Sequence, residues 1–132
     1  MSLELDSAPI LIRMSGIKNM KMFLTSTVPK GQLLQCTIRR QKSGLDIFRP
    51  RYDLHLSEEC SLLMSAKKKG GTSANYYFSL SKEEFEDPSP NYLGRVKGNF
   101  TGSFFTLLDE GCNPDKAPQG KLKRRVIGSV HF

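Results

Sequence analysis

The chain has 132 residues and a mass of 14.9 kDa, a size that favours a single domain with one modest core. Hydrophobic residues make up 38% and charged residues 25% of the sequence, which excludes a wholly disordered chain. Lysine and arginine outnumber aspartate and glutamate by 20 to 13, for a net charge of +7. This excess favours polyanionic partners, either nucleic acid or an acidic membrane surface.

The first part of the chain has no clear periodicity. Ile10 to Leu24 mixes apolar and basic residues around Gly16 and follows neither a helical nor a strand period. We therefore expect residues 1–27 to form an N-terminal extension of uncertain structure, followed by one β domain over residues 28–132. No window approaches the roughly 18 uninterrupted apolar residues of a spanning helix, so we expect a soluble or peripheral protein.

From Pro29 onward the pattern changes to short stretches in which apolar and polar residues alternate, which is typical of β-strands. Turn-forming residues separate these stretches at a spacing of roughly ten residues. No long helical pattern interrupts them, so the sequence predicts a mainly β fold, an antiparallel barrel or sandwich. The predicted strands are Leu33–Arg40, Tyr52–Leu56, Cys60–Ala66, Asn75–Leu80, Asn91–Lys97, Ser103–Leu108 and Arg124–His131.

The residue types needed for catalysis or metal binding are sparse. The three cysteines are widely spaced and form no CxxC pair, so neither a disulfide framework nor a zinc site is predicted. The only histidines are His55 and His131, and a solvated or hydrogen-bonded imidazole is the favoured interpretation of His55. We expect no enzyme activity and no cofactor. A deep pocket in which Cys36 and His55 meet would restore the enzyme hypothesis.

Basic residues form two sets that suit an anionic ligand. Lys67, Lys68 and Lys69 are predicted to end a strand and to open into a glycine-containing loop, where backbone amides can approach an anion closely. Arg95 and Lys97 lie two residues apart on a predicted strand and therefore share a face. The alternative is that the lysine run serves solubility alone.

A third basic set stands near the end of the sequence. It could join the same electrostatic field or form a separate basic tail. Its members are Lys121, Lys123, Arg124 and Arg125.

The order and spacing of several segments over roughly residues 28–115 resemble those of the tubby-like protein family, in its C-terminal tubby domain. The resemblance is spread along the chain, which makes it far more specific than any single motif. The matching segments are Pro29–Gln32, Gln35–Arg40, Tyr52–Leu56, Leu62–Lys69, Thr72–Tyr76, Asn91–Phe100 and Gly102–Pro114.

The resemblance implies a tubby-type antiparallel barrel closed around a buried apolar helix, with no catalytic activity. It also implies a surface pocket for phosphoinositide headgroups, chiefly phosphatidylinositol 4,5-bisphosphate. The family's basic positions map onto Lys67, Lys68 and Lys69, and onto Lys97 with Arg95 beside it. Because the matching part corresponds to the N-terminal half of the family domain, we expect an incomplete barrel that lacks the second half and the central helix.

The resemblance further implies a peripheral adaptor at the inner face of the plasma membrane, in the cytoplasm, with links to cilia and the nucleus. Its expected partners are phosphoinositide headgroups of the cytoplasmic leaflet and, beyond them, trafficking machinery or membrane-protein cargo. Two alternatives stay open. A basic sheet carrying Tyr76, Tyr77 and Phe78 could bind nucleic acid or regulate transcription, and open sheet edges could allow self-association.

Overall fold

The computed structural model describes residues 8–41, 49–69, 73–86, 89–111 and 123–132. One short helix, α1 (Met20–Leu24), and a 3-10 turn at Met14–Gly16 precede the main body of strands. The strands are β1 (Ile10–Leu11), β2 (Gln32–Leu33), β3 (Cys36–Gln41), β4 (Arg51–Leu56), β5 (Ser61–Lys69), β6 (Asn75–Ser79), β7 (Tyr92–Gly98), β8 (Phe104–Leu108) and β9 (Val126–His131).

Strands β3 to β9 form a seven-stranded sheet in which every neighbouring pair is antiparallel and consecutive in sequence. This is the arrangement expected when short strands that follow one another in sequence also become neighbours in the sheet. All seven predicted strands are therefore confirmed, with boundaries that shift by a few residues. The fold is mainly β and the seven-stranded sheet is antiparallel, as predicted. In the described part of the chain this sheet is open, with β3 and β9 at its edges.

The two faces of the sheet differ in how well they are covered. Asp53, Ser65 and Ser79 lie opposite one another on β4, β5 and β6 and are at most 1% exposed. The loop between β6 and β7 folds over this side. Its contacts there are a hydrogen bond from the Ser79 hydroxyl to the Glu84 carbonyl and the burial of Phe85. We call this side the loop-covered face.

The other side, which we call the open face, leaves large apolar side chains in contact with solvent. Tyr52, Ala66 and Phe78 share it on β4, β5 and β6, since directly paired residues point to the same side. Ile38, Leu107 and Val130 belong to this face as well and are exposed.

The N-terminal segment is attached to the rest of the molecule by hydrogen bonds and ion pairs. Strand β1 pairs in parallel with β2 to form a separate two-stranded sheet. Asn19 caps the N-terminus of helix α1, since its side chain accepts from the Met22 amide at 3.0 Å, and Lys21 of the helix forms an ion pair with Glu110. Among the described residues, no helix is long and apolar enough to cross a membrane.

Candidate cationic site

The lysine run lies at the end of strand β5, as predicted, but it belongs to the strand and not to the loop, so the predicted boundary at Ala66 is wrong. Strand β5 continues to Lys69, because Lys67, Lys68 and Lys69 pair with Tyr77, Tyr76 and Asn75 on β6. The two glycines of the predicted phosphate cradle, residues 70 and 71, lie outside the described residues. Since side chains alternate along a strand, the three lysines cannot all point to one side.

Four of the predicted basic residues lie together on the loop-covered face. Lys67 pairs with Tyr77, which pairs with Arg95, and Lys69 pairs with Asn75, which pairs with Lys97. Residues paired in this way share a face. We call Lys67, Lys69, Arg95 and Lys97 the cationic patch.

The dimensions of the cationic patch follow from strand geometry. Strand β6 lies between β5 and β7, so the Cα positions of Lys67 and Arg95 are about 10 Å apart. Along each strand, the two basic residues are separated by about 7 Å. Lysine and arginine side chains are long enough to reach a common ligand across this rectangle. Its geometry suits a compact ligand that carries several negative charges.

Lys68 lies on the open face, opposite to the cationic patch. It pairs with Tyr76, whose ring lies 6.1 Å from the ring of Tyr52. The guanidinium of Arg40 lies 5.9 Å from the centroid of the Tyr52 ring. Lys68 therefore belongs to a second group of basic and aromatic side chains, and its predicted role beside Lys67 and Lys69 has no geometric support.

Tyr77 lies between Lys67 and Arg95 in the cationic patch. The Lys69 ammonium is 4.7 Å from the centroid of its ring, and the Arg95 guanidinium carbon is 5.7 Å from the same centroid. Arg95 also donates from Nη1 to the Tyr77 hydroxyl at 3.0 Å. On its other side Tyr77 contacts Tyr92, a ring only 7% exposed, at a centroid distance of 6.2 Å.

Among the residues that the structure describes, one acidic side chain reaches the cationic patch. Glu86, from the loop between β6 and β7, forms an ion pair with Lys69. Its side chain is 62% exposed, so the pair is only weakly stabilising. The four basic side chains of the patch and the Glu86 carboxylate together carry a net charge of +3. The patch therefore still attracts a polyanion.

A further arginine lies in the same cross-strand row but is neutralised. Arg51 pairs with Lys67 on β5, and its guanidinium donates to both carboxylate oxygens of Asp53, at 3.0 and 3.2 Å. Ser65 also donates to Asp53, at 2.7 Å. Burial by itself raises the pKa of Asp53, but the hydrogen bonds from Ser65 and Arg51 outweigh it and leave that pKa lowered. Arg51 therefore serves the structure of the sheet rather than the patch.

In the third basic set, Arg125 is bound to an acidic residue outside the cationic patch. Arg125 precedes β9, and its backbone N–H and its Nε donate to Asp109 at 2.8 and 3.1 Å. Arg124 is half-buried and Lys123 is exposed, while Lys121 lies outside the described residues. Arg125 thus has an acidic partner of its own.

The geometry does not bring Cys36 and His55 together. His55 pairs with Thr37, and Cys36 is the next residue along β3, so the thiol and the imidazole point to opposite faces. His55 is 9% exposed, and its Nδ1 has no hydrogen-bond partner among the described residues, so the expectation of a solvated or hydrogen-bonded ring is not met at that nitrogen. No cluster of His, Cys, Asp or Glu in the part of the chain described here could hold a metal ion.

The sequence analysis named Tyr77 only as a candidate for stacking on nucleic acid and did not place it or Glu86 at the cationic patch. Alternation along β6 places Asn75 and Tyr77 on one face of the sheet. Together with the position of β6 between the two basic strands, this alternation indicates that Tyr77 lies beside the basic residues. The contact of Glu86 depends on how the loop folds back over the sheet, and no local pattern indicates that.

Comparison with known proteins adds an independent observation. The sequence model of the Tub family matches residues 24–130. Mouse Tubby-related protein 3 is 31% identical over 118 residues, which is 85% of this chain and 25% of that protein. Mouse Tubby-related protein 2 is 32% identical over 124 residues, or 87% of this chain and 22% of the relative. Tubby protein homolog 1 of Caenorhabditis elegans is 33% identical over 123 residues, or 86% and 29%. The chain thus spans about a quarter of the length of these relatives.

Proposed function

This chain belongs to the Tub family, and we propose that it binds phosphoinositide headgroups, chiefly phosphatidylinositol 4,5-bisphosphate, through its cationic patch. The observation that carries the proposal is the placement of Lys67, Lys69, Arg95 and Lys97 on one face of three adjacent strands. Ammonium and guanidinium groups donate strongly to phosphate oxygens. We propose binding without catalysis.

The charge of the patch sets the expected strength of binding. Each basic residue close to an anionic lipid surface contributes about 1 kcal/mol, so the four residues together give about 4 kcal/mol. If the whole net charge of +7 acted at the surface, the sum of about 7 kcal/mol would correspond to a Kd of about 10 µM. The protein would therefore bind the membrane reversibly and leave it when the phosphorylated lipid is consumed.

This binding would make the chain a peripheral adaptor at the cytoplasmic leaflet of the plasma membrane. By extension from the family, we propose that it takes part in the trafficking of membrane-protein cargo, including cargo for cilia, and that it can reach the nucleus. Those roles would involve trafficking machinery and cargo recognised by regions beyond the cationic patch.

Nucleic-acid binding is the second candidate, and the open face favours it. Tyr52 and Tyr76 lie there with Arg40 and Lys68 close by. Aromatic rings beside basic groups can stack single-stranded bases while holding the backbone. Both tyrosines are half-buried, so only part of each ring is available for stacking, and we rank this candidate below phosphoinositide binding.

Liposome pelleting separates the two candidates. Vesicles with phosphatidylinositol 4,5-bisphosphate are compared with phosphatidylserine vesicles of equal total charge, and a single-stranded DNA titration is run in parallel. We expect preferential pelleting with the bisphosphorylated lipid. Equal pelleting on both lipids, combined with tighter binding to DNA, would favour the second candidate.

Neighbouring lysines in one strand provide a matched control. Lys67→Ala combined with Lys69→Ala removes two charges from the patch and should abolish the preference for the phosphoinositide. Lys68→Ala removes a charge from the open face and should preserve it. Melting temperatures should stay within a few degrees of the native value, because these lysines are partly exposed and surface charges contribute little to folding. A large drop in melting temperature would identify the lysines as structural.

A further inference from the structure

The cationic side chains of the patch differ in how they are held. Lys69 and Arg95 both contact the ring of Tyr77, at 4.7 and 5.7 Å from its centroid. Arg95 is also fixed by its hydrogen bond to the Tyr77 hydroxyl. Lys97, by contrast, is exposed, and no ring contact or hydrogen bond holds it in the described part of the structure.

We propose that Tyr77 is the positioning residue of the cationic patch and that its side chain holds Lys69 and Arg95 in place for a phosphorylated ligand. The inference rests on the proposed function and adds to it the residue that orders the binding groups. Tyr77 is suited to this role because its register position lies between Lys67 on β5 and Arg95 on β7. Its ring is itself supported by the buried ring of Tyr92.

The physical basis is preorganisation. A free lysine or arginine loses rotamer entropy when it grips a ligand, and a contact that orders the side chain beforehand reduces that loss. Cation–π contacts supply such order without neutralising the charge. An acidic partner would also order the side chain, but it would compete with the phosphate for the same donors. Tyr77 thus orders both cations without neutralising them, and Glu86, the described carboxylate that pairs with Lys69, is largely exposed and can be displaced by a phosphate.

Two substitutions separate the ring from the hydroxyl. Tyr77→Phe keeps the ring that faces Lys69 and removes the acceptor of Arg95. Tyr77→Leu removes both. With the soluble bisphosphorylated inositol headgroup as the probe in isothermal titration, we expect affinity to fall about threefold for Tyr77→Phe and about tenfold for Tyr77→Leu. Native affinity in Tyr77→Leu would overturn the proposal.

A second titration tests whether the effect passes through the cations. In a Lys69→Ala, Arg95→Ala background, Tyr77→Leu should have little further effect on affinity for the headgroup. An undiminished loss in that background would show that Tyr77 acts through the fold in general, and this too would overturn the proposal.

A spectroscopic readout is independent of the ligand. Nuclear magnetic resonance of the free protein should show the ε-methylene protons of Lys69 shifted upfield by the Tyr77 ring. The shift should persist in Tyr77→Phe and vanish in Tyr77→Leu, while Tyr76→Leu, on the open face, should leave it unchanged. If the native protein does not bind the headgroup, the proposed function fails. In that case the upfield shift of the Lys69 ε-methylene protons still tests whether Tyr77 positions Lys69. A native spectrum without this shift contradicts the positioning role of Tyr77.

Discussion

Replacing Asp53 by asparagine tests the buried network beneath the cationic patch. The Asp53 carboxylate is fully buried and accepts two hydrogen bonds from Arg51 and one from Ser65. Losing one partner of a buried ion pair costs about 3 to 5 kcal/mol. Arg51 is 30% exposed and can partly recover water, and the asparagine oxygen can still accept one bond. We therefore expect a loss of about 2 to 3 kcal/mol, measured by urea unfolding, and a drop in melting temperature of about 10 °C.

The pH dependence gives the same network a second test. Because the pKa of Asp53 is lowered in the folded protein, the stability that its ionisation contributes is present above the unfolded pKa of about 3.9. It is lost as the pH falls through the lower, folded pKa. The gap in stability between the native protein and Asp53→Asn should therefore narrow in that acidic range, where the native carboxyl becomes protonated.

A surface ion pair provides the control. Glu58 and Arg13 form a pair with side-chain exposures of 49% and 61%, so Glu58→Gln should change the free energy of unfolding by less than about 0.5 kcal/mol. Two results would contradict a stabilising role of the Asp53 network. One is an Asp53→Asn variant as stable as the native protein, and the other is a difference in free energy of unfolding between the two proteins that does not change with pH.

Three further predictions concern the patch and the sheet. Glu86→Gln removes the carboxylate paired with Lys69 and should tighten pelleting with phosphoinositide vesicles about two- to threefold; unchanged pelleting would show that this acid does not compete with the lipid. Gly94→Ala should destabilise the protein by about 2 to 4 kcal/mol in urea unfolding, because Gly94 has a φ of 150° and an added Cβ would collide with the Leu108 carbonyl; a native unfolding midpoint would refute this. Raising the salt concentration from about 0.1 to about 0.5 M should strongly reduce pelleting, and salt-independent pelleting would show that charge does not drive it.

Alternation of side chains made most of the sheet predictable from the sequence. Segments such as Tyr52–Leu56 and Asn91–Lys97 satisfy the two-residue period, and the shared face of Arg95 and Lys97 follows from that period alone. Strand β5 ends at Lys69, three residues beyond the predicted end at Ala66. Three lysines in a row suggest a solvated loop, yet strand pairing with Asn75 and the tyrosines that follow it carries the ladder through Lys69.

Long-range relations were less predictable. Local sequence does not reveal that β6 lies between the two basic strands or that Glu86 returns to Lys69. Closure of a sheet into a barrel depends on pairing between distant strands, and in the described residues β3 and β9 remain at opposite edges. The family resemblance was confirmed over residues 24–130.

Chemical-shift mapping with the soluble bisphosphorylated inositol headgroup tests the phosphoinositide proposal most directly. We predict that the largest changes fall on Lys67, Lys69, Arg95 and Lys97, with Lys68 on the opposite face nearly unaffected. Changes centred on Lys68 and the tyrosines of the open face, or no saturable change at all, would contradict the account.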